Sequence, residues 1–152
     1  MGTIVIILSG IIATFIMVLF LELVTRTKLA NADMVRAIGS ILTRDYDKAL
    51  IPGLIIQFGF GIIFSFVYFG VMSYFSSAIN INGILMGGLM GFFHGIVVGF
   101  VGVITVAIHH PITKFKQAGF TVAVAHLFGH VVYGLSIGIL FSQTGIRILV
   151  SS

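Results

Sequence analysis

The sequence predicts an all-α integral membrane protein, a four-transmembrane-helix bundle with an amphipathic interfacial helix between its first two spans. Three observations lead to this fold class. Hydrophobic residues make up 59% of the 152 residues, more than the roughly 45–50% of soluble domains, and the mean hydropathy is +1.22. Four apolar runs are each long enough to cross a bilayer. Only 8% of the residues are charged, and they are concentrated between these runs.

The four predicted spans cover residues 3–23, 51–75, 83–108 and 118–141 of a single membrane domain, residues 1–152. At about 1.5 Å per residue, the first run reaches roughly 31 Å, which matches the thickness of the hydrocarbon core. It lacks a basic segment before it and a small-residue cleavage site after it. We therefore interpret it as a retained span and not as a signal peptide.

A short helix over residues 32–44 is predicted to lie along the membrane surface. Asn31 or Asp33 can cap its start, and apolar residues then recur at helical spacing. The alternative is an ordinary polar loop folded over the bundle. The basic residues expected to contact lipid headgroups are Arg36, Arg44, Lys114 and Lys116.

The distribution of basic residues predicts the orientation in the cytoplasmic membrane. Seven of the eight Lys and Arg residues follow the first or third span, and only Arg147 belongs to the other side. Both basic loops are therefore expected to face the cytoplasm, with both termini outside. Glu22 is expected to pair with Arg26, four residues on. His109 and His110 are interpreted as loop residues at the interface. The net charge of +4 is explained by orientation, so lipid and not nucleic acid is the expected partner.

Small residues at helical spacing predict how the helices pack, because hydrophobicity alone does not pair helices inside a bilayer. Glycines recur at intervals of four in the third span and twice in the fourth. We interpret them as a close contact between helices, within the bundle or against another subunit or a second copy. The alternative is room for a flat cofactor or a pore. These glycines are Gly83, Gly87, Gly91, Gly95 and Gly99, with Gly134 and Gly138.

Three histidines fall inside apolar spans, where a polar ring must find a partner. His94 and His130 are predicted near the bilayer midplane, and His126 shares a helix face with His130 and Tyr133. In one interpretation they bond to Tyr133 and to backbone carbonyls and fix helix register. In a second they ligate zinc, copper or haem b, and in a third they form a proton or solute path. Gln57 is a further buried polar group, expected to bond to a neighbouring helix.

The stretch LFGHVVYGLSIGIL, residues 127–140, resembles a family of small four-helix prokaryotic membrane proteins. The last helix of that family carries a GHxxYGxxxG-like pattern, which here falls on Gly129, His130, Tyr133, Gly134 and Gly138. Similar proteins often have a histidine near the start of the second helix, where Gln57 stands in this chain. The resemblance implies a topology and no established activity.

The first functional expectation is a non-catalytic accessory or structural subunit of a larger membrane complex. The chain is small, has almost no sequence outside its spans, and has no hydrolase or phosphate-binding motif. It also has no cysteine, which excludes disulfides and thiolate metal sites. The alternatives are a haem- or metal-binding protein using His94, His126 and His130, and a small oligomeric transporter or channel.

Overall fold

The protein is helical throughout the part of the chain that the structure describes. This computed structural model describes residues 2–78 and 82–143, and the side chains of all of these except residues 76–78. The predicted tail with Arg147 lies outside that part. In chain order the elements are α1 (Gly2–Arg26), α2 (Met34–Thr43), α3 (Leu50–Ala78), α4 (Gly83–Ile96), a π-helical segment (Val97–Gly102), α5 (Val103–His109), α6 (Thr113–Lys116) and α7 (Phe120–Gln143).

Four helical stretches are long and apolar enough to cross a membrane. They are Gly2–Arg26, Leu50–Phe75, Gly83–His109 and Phe120–Gln143, here called the first to fourth spans. The third span consists of α4, the π-helical segment and α5 in succession. The predicted all-helical class and the four apolar spans are confirmed for the described residues. The observed helix ends lie within about three residues of the predicted ones.

The fourth span, α7, is the central element of the fold. Half of its most apolar window is buried, against 22% for the second and third spans. It contacts α1 on one side, where Gly129 lies against the Leu21 side chain, and α4 on the other. On the far side of α1, Ser65 of α3 donates a 2.7 Å hydrogen bond to the Ile6 carbonyl. By contrast, α3 and α4 contact each other little, so the packed pairs of spans are α4 with α7, α1 with α7 and α1 with α3.

Glycines bring the backbones of α4 and α7 into direct contact. A Cβ atom added at Gly95 would lie 2.7 Å from the Leu127 carbonyl oxygen, and one at Gly99 would lie 2.5 Å from that of Ala123. The other three glycines of the third-span stripe would meet α7 atoms at similarly short distances. Since α7 of the same chain covers the whole stripe, none of it is left for a helix of another chain. The expectation that this stripe could also serve an outside partner is therefore corrected.

The helix α2 is fastened to α3 and to the connection after the third span. A Cβ atom at Gly39 would overlap the Ala49 carbonyl oxygen, so α2 and the start of α3 touch through their backbones. As predicted, Asp33 caps α2, its carboxylate accepting a 3.1 Å hydrogen bond from the backbone N–H of Arg36. His110 is only 2% exposed and donates from Nε2 to the Ala37 carbonyl at 2.9 Å. The two basic connections therefore lie at the same end of the molecule.

Candidate functional site

A cavity of about 240 Å³ lies in the cleft between α3 and α4. Most of its wall is apolar, and its lining residues come from six elements. The apolar side chains are Met17, Met34, Ile38, Phe60, Phe64 and Val98. Four polar residues line the same space, namely Gln57, His94, His130 and Tyr133. A largely apolar cavity with a few converging polar groups is the usual form of a small-molecule site. Val98 belongs to the π-helical segment, a local irregularity that occurs often at functional sites.

His94 and His130 meet in this cleft. Their ring centroids are 4.6 Å apart and the ring planes are inclined by 67°. His94 also lies 4.1 Å from the Phe64 ring, centroid to centroid, and its Nδ1 is 3.4 Å from the Tyr68 hydroxyl. The glycine contacts between α4 and α7 bring the two imidazoles into contact, because His94 and His130 lie next to those contacts on their helices.

Backbone carbonyls fix the proton positions on the α7 histidines. The Nδ1 atom of His130 lies 2.8 Å from the His126 carbonyl oxygen, and that of His126 lies 2.7 Å from the Val122 carbonyl oxygen. A carbonyl oxygen can only accept, so Nδ1 carries the hydrogen in both rings and each neutral ring keeps a lone pair on Nε2. His130 therefore offers an acceptor in the cleft, a chemistry suited to a hydroxyl group or a metal ion.

Gln57 is the least satisfied polar group of the cavity. Gln57 is only 6% exposed, and none of the hydrogen bonds found among the described residues involves its side chain, although its amide atoms are not among the fully enclosed polar atoms that lack a partner. Tyr133, by contrast, donates a 2.6 Å hydrogen bond to the Gly61 carbonyl and packs edge-on against Tyr68. The described residues show no bond from Gln57 to a neighbouring helix, so the expected bond stays a prediction, and the amide lies on the wall of the cavity.

His126 does not join the other two histidines. It lines a separate, larger cavity at the basic end of the molecule. Within residues 2–78 and 82–143, no three His, Cys, Asp or Glu side chains are placed to hold a metal ion. This arrangement does not favour the three-imidazole zinc or copper alternative.

A haem held between His94 and His130 is not favoured either. Two axial histidines each need a metal–nitrogen bond of about 2 Å, with the porphyrin plane between the rings. Here the imidazoles contact each other directly and at a steep angle. The backbones of α4 and α7 also touch along the adjoining glycines, which leaves no gap for a macrocycle.

The predicted headgroup residues all belong to the basic end. Arg36 is engaged within the chain, because its Nη1 lies 3.6 Å from Asp33 and its guanidinium stacks over the Tyr46 ring. Lys114 donates a 3.1 Å hydrogen bond to the Tyr46 hydroxyl. The remaining two, Arg44 and Lys116, are exposed. His110, interpreted from the sequence as an interfacial loop residue, is buried, and both of its ring nitrogens are hydrogen-bonded.

Sequence reasoning missed Phe64, Tyr68 and Met17 as neighbours of the histidines. Tyr68 has the same sequence signal as Tyr133, a hydroxyl inside an apolar span. Treating every such hydroxyl as a candidate polar group would have identified Tyr68. Phe64 and Met17 offered none, because apolar residues in a span are all alike until helix rotation is known. Comparison of the chain with protein-family models, with curated proteins and with solved structures finds no match. The resemblance to small four-helix membrane proteins therefore stays a prediction.

Proposed function

We propose that this chain is a multi-pass protein of the cytoplasmic membrane that binds a small lipophilic ligand in the cleft between its second and third spans. The observation that carries the proposal is Gln57, an amide 6% exposed on the wall of a 240 Å³ cavity, with no hydrogen bond from its side chain among the described residues. The basic connections are proposed to face the cytoplasm. The concentration of Lys and Arg in those two connections supports that orientation.

The polar groups of the cavity define the ligand class. The Gln57 amide can donate and accept, and the Nε2 lone pair of His130 can only accept while the ring is neutral. A hydroxyl group suits either of them, because it can both donate and accept. Phe60 and Phe64 favour a planar ring, and about 240 Å³ suits one substituted ring and not a macrocycle. We therefore expect an uncharged phenol- or quinol-type head whose apolar tail leaves the cleft toward lipid.

The test measures binding of a short-chain quinol analogue to the purified protein in lipid nanodiscs, by calorimetry. Gln57→Leu keeps the side-chain volume and removes the amide, so binding should weaken about tenfold. The same change should leave the free energy of unfolding of the unliganded protein unchanged or slightly higher, since it removes a nearly buried amide that makes no hydrogen bond among the described residues. Gln143→Leu, at an exposed position at the end of α7, is the matched control. Unchanged binding in Gln57→Leu, or no saturable binding to the native chain, would overturn the proposal.

A second candidate function is the accessory or structural subunit of a larger membrane complex, and one observation favours it. Gly59 and Gly70 lie 11 residues apart on α3, which is about three turns, so they lie on nearly the same face. A Cβ atom at either glycine would have no neighbour within 4 Å. Ile55 and Ile63 of the same face are 69% and 58% exposed. Open glycines on an exposed apolar face permit close approach by another helix.

The accessory role is tested in native membranes. Gly59→Leu with Gly70→Leu should abolish co-purification of a partner subunit after mild extraction, while the isolated chain keeps its fold. Gly2→Leu, at another glycine with no neighbour within 4 Å but outside α3, is the control. Co-purification that survives the double change would contradict a partner on this face.

A further inference from the structure

A second, larger cavity of about 680 Å³ lies where the two basic connections meet. Its inner wall is apolar and comes from α2, the third span and the start of α7, with Ile38, Val98, Val106 and Val122 among its residues. Hydrogen-bond donors lie on its wall as well, namely Lys28, Asn31, Lys114, Gln117 and Thr121. The cavity thus combines apolar walls with a set of cationic and neutral donors.

The charges of this cavity do not cancel. Its carboxylate, Asp33, already accepts from the Tyr46 hydroxyl at 2.9 Å and pairs with Arg36. Lys28 and Lys114 have no carboxylate partner in the described part of the chain, and the ammonium of Lys114 lies 4.3 Å from the Tyr46 ring centroid. Two cations from distant parts of the sequence therefore border one cavity, and Asp33, its carboxylate, is linked to Lys114 only through the Tyr46 hydroxyl.

We propose that this cavity binds one anionic phospholipid, with its phosphate between Lys28 and Lys114 and the first part of an acyl chain against Val98 and Val106. The charge complementarity is direct, because each basic residue near a membrane surface contributes attraction to anionic lipid. A soluble anion would leave the apolar inner wall unused, whereas a phospholipid fills both parts. The cavity volume lies within the range of about 300–1,000 Å³ found for ligand pockets.

Glycines on the wall leave room for the acyl chain. A Cβ atom at Gly102 would meet only the Val98 side chain, at 3.8 Å, and one at Gly119 would meet nothing within 4 Å. The end of the π-helical segment at Gly102 therefore exposes backbone and not side chain to the cavity. This site is distinct from the cleft that contains Gln57. The two cavities share apolar lining residues but no charged group, so ligand binding at one does not require ligand binding at the other.

The experiment is native mass spectrometry of the whole protein titrated with phosphatidylglycerol or phosphatidylcholine in detergent. One phosphatidylglycerol should bind with saturation, and phosphatidylcholine should bind weakly. Each lysine should contribute about fivefold, so Lys28→Gln with Lys114→Gln should weaken phosphatidylglycerol binding about 25-fold. The control pair Lys48→Gln with Lys116→Gln removes the same charge outside the cavity. Equal weakening in both pairs, or equal binding of the two lipids, would overturn the proposal.

A second variant separates lipid from free phosphate without touching a charge. Gly102→Leu fills the apolar part and should abolish stable binding of the phospholipid, whereas Gly70→Leu, in open space on α3, should not. Glycerol phosphate should not displace the lipid at equal concentration. Full displacement, or unchanged lipid binding in Gly102→Leu, would show that the site recognises a soluble anion and would refute the lipid assignment.

Discussion

Replacing Gly138 by alanine should push the third and fourth spans apart. The new Cβ atom would lie 2.5 Å from the Gly83 carbonyl oxygen and 2.8 Å from the Ile84 Cα, both backbone atoms that cannot rotate away. Restoring an ordinary contact of 3.4 Å requires a separation of about 0.9 Å. A gap of that size forfeits about a quarter to a half of the dispersion energy of each affected atom pair. Overpacking of this kind costs about 1–3 kcal/mol, and the better helix propensity of alanine returns up to about 1 kcal/mol.

The expected net loss of about 1–2 kcal/mol can be measured by reversible unfolding in mixed micelles, followed by far-ultraviolet circular dichroism. Two alanine variants serve as controls. Gly70→Ala adds a Cβ atom in open space, and Gly88→Ala meets only the flexible end of the Leu135 side chain, at 2.9 Å. Both should leave the free energy of unfolding unchanged or slightly higher. If Gly138→Ala is as stable as Gly70→Ala, the close backbone contact of the two helices is refuted.

Three further changes test other contacts by the same unfolding measurement. Asp33→Ala removes the cap of α2 and should lower the free energy of unfolding by about 1 kcal/mol or more, and no change would mean that the cap is not formed. Tyr133→Phe removes the hydrogen bond to Gly61 and should cost about 0.6–1.7 kcal/mol, so a neutral result would argue against that bond. Glu22→Gln breaks the exposed 2.8 Å pair with Arg26 and should change stability by less than about 1 kcal/mol, and a larger loss would contradict a surface role.

The helices were predictable because their signals are local. The length of each apolar run predicts a span. The position of Asp33 before an apolar repeat predicts the start of α2. The pair of Glu22 and Arg26 follows from helical spacing alone, and the structure confirms it. The spacing of the glycines likewise predicted a helix contact, although not which helix would cover it.

The environments of the individual side chains were not predictable, because they depend on how each helix is rotated and on its tertiary contacts. The spacing of residues along the sequence does not determine either. His110 sits beside a proline and two lysines in sequence, yet the fold buries it against the Ala37 carbonyl. Gln57 was expected to find a partner on a neighbouring helix. Whether it does so depends on how far α3 stands from α4, a distance that no local pattern sets. The π-helical segment after Ile96 has no turn or proline signal either.

Two of the close helix contacts, α1 with α3 and α4 with α7, explain why the cleft exists. Contacts at Gly10 hold α3 against α1, since a Cβ atom there would lie 2.9 Å from the Gly61 carbonyl oxygen, and the glycine stripe holds α4 against α7. A helix that packs closely against one neighbour through its small residues points its bulky residues toward other sides. Phe64 on α3 accordingly faces His94 on α4 across the cleft. The glycines that bring His94 against His130 thereby also keep α4 from closing on α3. Gln57, His94, His130 and Tyr133 then border the space that remains, and the proposal that a ligand binds there is the one that Gln57→Leu tests.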